Sequence, residues 1–358
     1  MSNFDPNAIL RGAQLTLVGA YRALQNPTLF ESRHYRQAAL AVAVGIAIRI
    51  IVTAPVFLIK LSLAVVGLAV DVSGAEKMLS VLQFAEESVL QVPFFLMQLM
   101  RYITPTLDEM FMQSLDWVDR TYTAKHATED PTTLRALYYP TLATYHPTSS
   151  NKKQNPIKLF LIRYFRRAGL SLLIYSLSFA PTVGRFVLPA ASFYSFNAAV
   201  GTAPAAAVFG VGIFLPRRWM VVFLQGYFAS RGLMRELLQP YFSRIKFSAA
   251  QRQRWFRDRE GLLFGFGVGF YLLIKVPLLG VLIYGIAEAS TAYLITKITD
   301  PVPPADEFTP EFAESQVVWR NKHEFLKLEL SALDKLNVRS LKKSDIASPL
   351  GLGGAVDE

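Results

Sequence analysis

The sequence predicts an all-α integral membrane protein, built from membrane-spanning helices, two proline-broken helical hairpins, amphipathic connectors and a helical C-terminal tail. Three observations support this class. Apolar residues make up 52% of the 358 residues and charged residues only 18%, against about 25% charged residues in a typical soluble protein. The mean hydropathy is +0.29. The apolar residues are also concentrated in long runs, as expected for segments that enter a bilayer.

The net charge and the scarcity of cysteine and histidine exclude several classes of function. The chain carries 37 Lys and Arg against 27 Asp and Glu, a formal net charge of +10. In a membrane protein, such an excess favours anionic lipid headgroups over nucleic acid. The absence of cysteine excludes disulfides, thiolate metal sites and cysteine nucleophiles. The four histidines are far apart in sequence, and no acid/base pair or nucleophile motif stands out. We therefore expect no enzyme, no cofactor and no metal.

Residues 1–37 are predicted to form an amphipathic, cytosolic segment. Asp5 stands where a secretory signal would carry basic residues, and the first long apolar run begins only near Ala38. Residues 8–24 are weakly amphipathic. Two interpretations stay open for them: a helix that lies on a membrane surface, or an ordinary short helix packed against the rest of the protein.

Residues 38–103 are predicted to hold the first membrane helices. The run 38–70 has 33 residues, so one helix would extend about 50 Å, beyond a bilayer core of about 30 Å. Arg49 and Lys60 lie in this run, with Pro55 between them. A charge at the bilayer centre costs about 3 kcal/mol. Either the helix breaks at Pro55 or one charge snorkels to an interface; the alternative is a functional cation within the membrane.

A weaker apolar run, residues 79–100, carries two adjacent carboxylates, Glu86 and Glu87. They could pair with Arg49 or Lys60, which would neutralise charges that are costly to bury. The other interpretation places this segment at the membrane interface with its carboxylates in water. The sequence leaves both interpretations open.

Two polar stretches separate the apolar runs. Residues 104–156 are polar and contain several prolines, and they predict an extramembrane loop. Residues 226–260 are rich in arginine with interleaved aromatic residues, a combination that also occurs in nucleic-acid-binding proteins. Because this connector lies between membrane segments, it more simply predicts a helix on anionic headgroups.

Residues 157–299 are predicted to form a membrane domain that contains the hairpins. Its apolar part, 168–215, has basic residues on both flanks. The positive-inside rule places both flanks in the cytosol, which requires an even number of crossings or none. The arginines predicted to contact headgroups lie in these flanks and in the connector that follows: Arg163, Arg166, Arg167, Arg217, Arg218, Arg252, Arg254, Arg257 and Arg259.

The last apolar run, residues 261–298, has Lys275 and Pro277 near its middle. Each half is short for a full span. A charge beside a proline is easier to accommodate in a turn between two half-helices, where protein or water can satisfy the backbone. We therefore predict a hairpin turn at Lys275, Pro277 and Gly280. The glycines of GLLFGFGVGF and Gly280 provide small residues for close helix contact.

Residues 300–358 are predicted to form a cytosolic tail. It begins with PVPPADEFTPEF, a linker rich in proline and acidic residues. Residues 314–338 show helical periodicity, which predicts a helix that docks on a surface or on a partner. Residues 340–358 are small and polar, and we expect them to be disordered. The apolar stripe of the helix consists of Trp319, Leu326, Leu330 and Leu333.

Two segments resemble the hairpins of the CysZ-type sulfate permease and etoposide-induced-protein family. The first is IKLFLIRYFRRAGLSLLIYSLSFAPTVGRFVLPAASF, in which Pro181, Gly184 and Pro189 fill the family's Pro-x-x-Gly and second-proline places. The second is RDREGLLFGFGVGFYLLIKVPLLGVLIYGIAEASTAYL, with Pro277 in the turn. The resemblance spans residues 157–296 and implies hairpins that penetrate the membrane only part way.

Two features depart from the bacterial permeases of that family. The stretch 197–214 looks like an insertion after the first hairpin, and the long tail has no bacterial counterpart. Both features resemble the fungal branch of the superfamily, the outer-spore-wall and lipid-droplet proteins. For that branch the resemblance does not imply transport.

Two classes of function follow. The first is a structural or organising role at the endoplasmic reticulum and lipid droplets, linked to fungal spore-wall formation. Hairpins that enter and leave by one face suit a droplet monolayer, which has no aqueous compartment beyond it. The second is a sulfate-like anion transporter or channel, favoured by the arginine excess and by half-helix N-termini. The expected partners are membrane lipids and anionic headgroups, not nucleic acid; a homo-oligomer and a partner at the C-terminal helix stay open.

Overall fold

The structure is a computed structural model that describes residues 4–30, 106–129, 134–147, 184–214, 217–276 and 280–330, with scattered single positions elsewhere. The protein is mostly helical, and these described ranges contain no strand. The all-α class is therefore confirmed. The four charges predicted to lie within the membrane fall outside the described residues: Arg49, Lys60, Glu86 and Glu87.

Helix ends follow local signals in the sequence. Asp5 caps the first helix, since its Oδ1 accepts a hydrogen bond from the Asn7 amide at 3.1 Å. Ser248 and Gln251 form a reciprocal capping box. The helices of the described ranges are α1 (Pro6–Leu24), α2 (Thr106–Lys125), α3 (Tyr139–Thr144), α4 (Gly184–Val200), α5 (Thr202–Phe214), α6 (Arg217–Leu237), α7 (Gln239–Arg244), α8 (Ala249–Asp258), α9 (Glu260–Ile274), α10 (Gly280–Ile298), α11 (Pro310–Val317) and α12 (Lys322–Lys327), with a 3-10 turn at Pro27–Phe30.

The centre of the fold is α10. From Tyr284 to Thr299 its side chains are buried, with Ile286 alone partly exposed in that stretch. The helices α1, α2 and α9 pack around it. Small residues such as Ala287 and Ala292 let these neighbours approach closely. Burial on all sides is why the helix has no polar face in its sequence.

The helix α1 lies across α9 in backbone contact. A Cβ added at Gly265 would lie 1.9 Å from the Ile9 carbonyl oxygen, and one at Gly12 would lie 2.1 Å from the Leu262 carbonyl oxygen. Only glycine permits so close an approach of two helices. Of the two interpretations of residues 8–24, the structure shows the packed helix.

The helix α2 belongs to the core and corrects the loop predicted for residues 104–156. Phe111 and Leu115 are fully buried, and the helix packs along α10. Near its end, Asp119 accepts hydrogen bonds from two backbone amides at the start of α3, each at 2.7 Å, which caps that helix. The apolar residues of α2 alternate with charged ones, so the segment has low mean hydropathy despite its buried stripe.

The helices α4 and α5 form a helical hairpin. Its turn is Gly201, whose φ of 94° lies in the left-handed region that favours glycine. The two arms fold back on each other, with the Phe193 and Phe209 ring centroids 5.2 Å apart. Residues 197–214, predicted to be an insertion, therefore contain the turn and the second arm of this hairpin.

The N-terminal Phe4 joins three helices through an aromatic cluster. Its ring centroid lies 5.6 Å from that of Phe264 in α9 and 5.9 Å from that of Tyr227 in α6. Phe196 of α4 contacts the same Tyr227 ring at 4.7 Å in an edge-on geometry, an arrangement that aromatic pairs favour. The α4–α5 hairpin is thus attached to the central bundle by aromatic contacts.

The tail folds back onto the bundle. The helix α11 packs on α8, and Trp319 and Phe325 are buried in the main core. Arg11 of α1 donates a hydrogen bond to the Leu326 carbonyl oxygen at 3.1 Å. The continuous helix predicted for residues 314–338 is wrong in its described part, because α11 ends at Val317 and α12 begins at Lys322. The predicted apolar stripe packs against the protein's own core.

Candidate membrane-binding hairpin and its polar base

The helices α9 and α10 run antiparallel and meet at both ends. At one end, which we call the base, the Arg259 Nε donates a hydrogen bond to the Ile298 carbonyl oxygen at 3.1 Å. At the other end, the tip, a Cβ on Gly280 would lie 2.6 Å from the Ile274 carbonyl oxygen. The chain therefore enters and leaves this hairpin on the same side. With 15 residues in α9, the hairpin is about 22 Å tall.

The tip of the hairpin exposes large apolar side chains. Leu272 is 61% exposed and Val276 is 41% exposed, and Leu273 and Leu282 are exposed beside them. The remainder of α9 is buried or half-buried by its neighbours. A contiguous exposed apolar surface of this kind marks an interaction site. Burying one such side chain contributes about 1.5–3 kcal/mol.

Lys275 caps the end of α9 at this tip. Its backbone amide donates to the Leu273 carbonyl oxygen, and its exposed ammonium lies 4.5 Å from the centroid of the Tyr271 ring. The helix α9 ends at Ile274, and α10 starts at Gly280. Pro277 lies between these two helices in the sequence, outside the described residues. The long lysine stem allows its ammonium to reach water from an apolar surface.

The base of the hairpin is organised by Arg259, which is only 2% exposed. Its guanidinium donates to the carbonyl oxygens of Gln316 and Val317, both at 3.2 Å, in addition to that of Ile298. The partial negative charges of two helix C-termini thus face one cation. The prediction that Arg259 binds headgroups is wrong, because its donors are directed at backbone carbonyls within the protein.

Aromatic rings and burial complete the environment of Arg259. The guanidinium carbon lies 4.5 Å from the centroid of the Trp255 ring and 5.9 Å from that of Trp319, within the range of cation–π attraction. Burial lowers the pKa of Arg259 to about 10, and the nearby Asp258 partly opposes this shift. Arg259 therefore stays charged at neutral pH and joins the hairpin base to the tail.

A buried carboxylate follows directly in the sequence. Glu260 accepts a hydrogen bond from the Tyr227 hydroxyl at 2.6 Å and forms an ion pair with the Arg231 Nε at 2.9 Å. Burial raises the pKa of Glu260, while Arg231 and the Tyr227 hydrogen bond act in the opposite direction. This group connects α6 to the start of α9 on the polar side of the hairpin.

Glu288 is a candidate that the sequence reading did not single out. It lies in α10 and is fully buried. It is the one acidic residue between Gly261 and Ile298 in the sequence, and that isolation is the signal that identifies it. A carboxylate inside an apolar bundle is costly to bury and marks a functional position by default in a membrane protein.

The predicted first hairpin has a different geometry. Pro189 lies inside α4 rather than in a turn, so its predicted role is wrong. Gly184 is the first residue of α4, and Pro181 lies outside the described residues. The turn that the structure shows is at Gly201. A glycine with positive φ ends one helix and reverses the chain, whereas Pro189 lies in the second turn of α4, where a proline removes one backbone hydrogen bond without ending the helix.

The remaining headgroup candidates are distributed over several surfaces. Arg254 and Arg257 are exposed on α8, and Arg252 is half-buried with its guanidinium over the Phe242 ring. Arg254 forms an exposed ion pair with Glu314 at 3.2 Å. Arg166 is exposed, Arg217 and Arg218 form the first turn of α6 with side chains outside the described set, and Arg163 and Arg167 are not among the described residues.

Neither a bilayer-crossing helix nor a metal site occurs among the described residues. None of their helices combines the length and the apolar character that a bilayer crossing requires. No group of three or more His, Asp or Glu side chains in the same residues could hold a metal ion.

Comparisons with known proteins add no relative. No family model, no curated protein and no solved structure matches the chain. The resemblance to the CysZ-type family stays a prediction that rests on the two segments quoted above.

Proposed function

We propose that the protein is an integral membrane protein with a structural, organising role at the endoplasmic reticulum and lipid droplets. In this proposal the α9–α10 hairpin inserts its tip from the cytosolic face, and the membrane helices predicted for residues 38–103 provide further attachment. The family resemblance extends the proposal to fungal spore-wall formation. One observation carries it: the hairpin has an exposed apolar tip and a polar base from which both chain ends leave.

The dimensions of the hairpin support insertion without crossing. Its height of about 22 Å is less than a hydrocarbon core of about 30 Å. An apolar surface that inserts by about 5–10 Å reaches the boundary between headgroups and acyl chains. At that depth the Lys275 ammonium stays within reach of phosphates or water, so the tip avoids the cost of a charge at the bilayer centre.

A second apolar surface lies where α5 is followed by α6. Phe214 is 89% exposed, and Trp219 and Val222 are exposed in the first turns of α6. Arg217 and Arg218 directly precede Trp219. Tryptophan and arginine together are typical of the membrane interface, where an indole ring sits among headgroups and a guanidinium pairs with phosphate.

A matched pair of substitutions tests the insertion of the tip. Val276→Glu places a charge at the tip, and Val318→Glu makes the same change at an exposed valine of the base. We expect Val276→Glu, combined with Leu272→Glu, to reduce flotation with lipid droplets several-fold, because a spanning helix cannot hold the chain on a droplet monolayer, and Val318→Glu to have no effect. Equal flotation of the tip variant and the wild type would overturn the proposal.

A fluorescent fusion imaged with a neutral-lipid dye tests the organelle. We expect a reticular signal that moves to rings around lipid droplets when neutral lipid is loaded. The tip variant should lose the rings, and the base variant should keep them. A signal confined to the plasma membrane would contradict the proposed location.

A further inference from the structure

Three helices end around one pocket, and each brings a cation in its last turn. Arg22 ends α1, Lys125 ends α2 and Lys297 ends α10. Arg135, which follows α2 in the chain, supplies a fourth cation. We call this the cationic pocket, and it is lined by Arg22, Trp117, Lys125, Arg135, Tyr293 and Lys297.

Four basic side chains line the pocket. No carboxylate lines it in the described part of the chain. Asp119, which does not line the pocket, pairs through its Oδ1 with the Arg135 Nη2 at 2.8 Å. Each of the three helix ends contributes about half a negative charge. A full cation in the last turn of each helix exceeds that partial charge, and Arg135 adds a fourth cation, which pairs with Asp119.

Two arginine side chains at the pocket have N–H groups available to donate hydrogen bonds to a ligand. Arg135 is 3% exposed, its Nη groups bond to Asp119 and to the Ala136 carbonyl oxygen, and its buried Nε has no hydrogen-bond acceptor. Burying such a donor without an acceptor costs free energy, which a ligand oxygen would recover. The half-buried Arg22 guanidinium makes no hydrogen bond or ion pair with a described residue. The planar fork of arginine matches the oxygens of a phosphate.

The partial negative charges of the three helix ends do not explain why four cations line one pocket. One cation in the last turn of each helix balances its partial charge, and Arg135 belongs to none of the three helices. Its guanidinium carbon is held 4.3 Å from the centroid of the Tyr122 ring, and the Tyr122 hydroxyl accepts a hydrogen bond from the Arg135 amide at 3.1 Å. The fourth cation is therefore positioned beside the other three by contacts of its own.

We propose that the cationic pocket binds a phosphate monoester. Such a group carries about −1.5 to −2 charges at pH 7 and three acceptor oxygens, which match the basic lining and the arginine donors of the pocket. A diester phosphate has one charge and fewer free oxygens. The same chemistry occurs in a soluble phosphate monoester and in the headgroup of phosphatidic acid.

The position of the pocket favours the soluble source. Lys297 lies 17 residues after Gly280, about 26 Å along α10 from the tip. When the tip inserts by about 5–10 Å, the pocket stands off the membrane surface, which favours a soluble ligand over a headgroup. This choice of source rests on the proposed function, whereas the pocket itself does not.

Calorimetric titration of the full chain in an uncharged detergent tests the proposal. The probes are glycerol 3-phosphate, dihexanoyl phosphatidic acid and dihexanoyl phosphatidylglycerol, whose phosphate is a diester. We expect glycerol 3-phosphate to bind, and Arg22→Gln to weaken it about tenfold through loss of a charge-assisted contact. Arg120→Gln is the matched control, because Arg120 is exposed on α2 and does not line the pocket; we expect less than about a twofold change.

The outcomes distinguish a soluble ligand from a lipid headgroup, and they distinguish phosphate binding from insertion of the hairpin tip. Binding of glycerol 3-phosphate supports a soluble ligand, and binding of phosphatidic acid alone supports the lipid headgroup. Absence of binding by both monoesters overturns the proposal, as does an equal effect of Arg22→Gln and Arg120→Gln, or equal affinity for the diester. The titration requires no membrane, so the Val276→Glu variant should bind as the wild type does even if tip insertion fails.

Discussion

Arg259 and Ile298 close the α9–α10 hairpin at its base, where the Arg259 Nε donates to the Ile298 carbonyl oxygen at 3.1 Å. The same guanidinium reaches the last carbonyls of α11. One buried cation thus compensates the C-terminal ends of two helices. The closure of the hairpin and the docking of the tail depend on the same side chain.

Arg259→Met is expected to lower the free energy of unfolding by about 3 kcal/mol, because it leaves buried carbonyl oxygens without donors. Arg257→Met is the matched control; Arg257 is exposed two residues earlier, and its replacement should change stability by less than about 0.5 kcal/mol. Chemical denaturation in detergent measures both. Equal stabilities of the two variants would show that Arg259 is not the organising residue.

Gly265→Ala is expected to destabilise the protein by about 2 kcal/mol, because the added methyl would collide with the Ile9 carbonyl oxygen and force α1 away from α9. Gly226→Ala has the opposite expected sign. Gly226 lies inside α6 with open space at its Cβ position, so alanine should stabilise the helix by up to about 1 kcal/mol. Thermal unfolding compares the two, and a gain in stability for Gly265→Ala would refute the close contact.

Glu260 is expected to make stability depend on pH. Burial raises its pKa in the folded protein above the ordinary value of about 4.3, so the folded state binds this proton more tightly than the unfolded state. Its stabilising contribution is complete below pH about 4.3 and is lost as the pH rises through the folded pKa. Glu260→Gln should remove this decline. Tyr227→Phe should steepen it, because the tyrosine hydrogen bond favours the carboxylate.

Denaturation of these variants at a series of pH values from about 4 upward checks the prediction. Parallel curves for the wild type and Glu260→Gln would mean that Glu260 does not titrate differently in the two states. A shallower curve for Tyr227→Phe would contradict the assigned role of the hydroxyl.

A chain that ends after Thr309 is expected to be markedly less stable than the full chain. It loses the carbonyl acceptors of Arg259 in α11 and the buried rings of Trp319 and Phe325, and each large aromatic contributes about 3 kcal/mol or more when truncated. A chain that ends after Arg339 keeps these contacts and should resemble the full chain. Limited proteolysis compares the two shortened chains with the full chain. Equal resistance of the chain that ends after Thr309 and the full chain would show that the tail is not part of the fold.

Both sides of the hairpin base are expected to face the cytosol. The native chain has no Asn-x-Ser/Thr acceptor, so acceptors inserted beside Lys246 and after Asp306, both exposed in loops, report sidedness in microsomes. Neither should be glycosylated. Pro277→Leu should restore a continuous helix of about 38 residues and carry the second acceptor across the membrane. A glycosylated tail in the wild type would refute the hairpin topology.

Much of the local structure follows from local sequence. Asp5 and Ser248 begin helices because their side chains cap free amides. The small residues of α9 and Gly280 stand where helices meet, as their composition predicts. The turn at Gly201, by contrast, is not predictable locally, because a positive φ leaves no periodicity signal in an alanine-rich stretch.

The burial of individual charges could not be predicted locally. Arg259 and Arg257 differ by two positions in a basic connector, yet one is enclosed and the other is exposed. The difference arises because the C-terminal ends of α10 and α11 converge on Arg259, and those ends are about 40 and 60 residues away in the chain. Likewise, α2 and the tail have low hydropathy, and their placement in the core depends on partners distant in sequence.

The sequence by itself determined that the chain is helical, because its apolar runs, helix caps and helix breakers act over a few residues. It also determined where the last apolar run divides, because a lysine and a proline side by side disfavour a continuous apolar helix. The tertiary structure alone decided that α1 crosses α9 through glycines and that one arginine holds two helix ends. It also brought four cations from α1, α2, α10 and the segment after α2 to one pocket. Each of these features is a contact between segments that are far apart in the sequence, and the packing of the whole bundle brings those segments together.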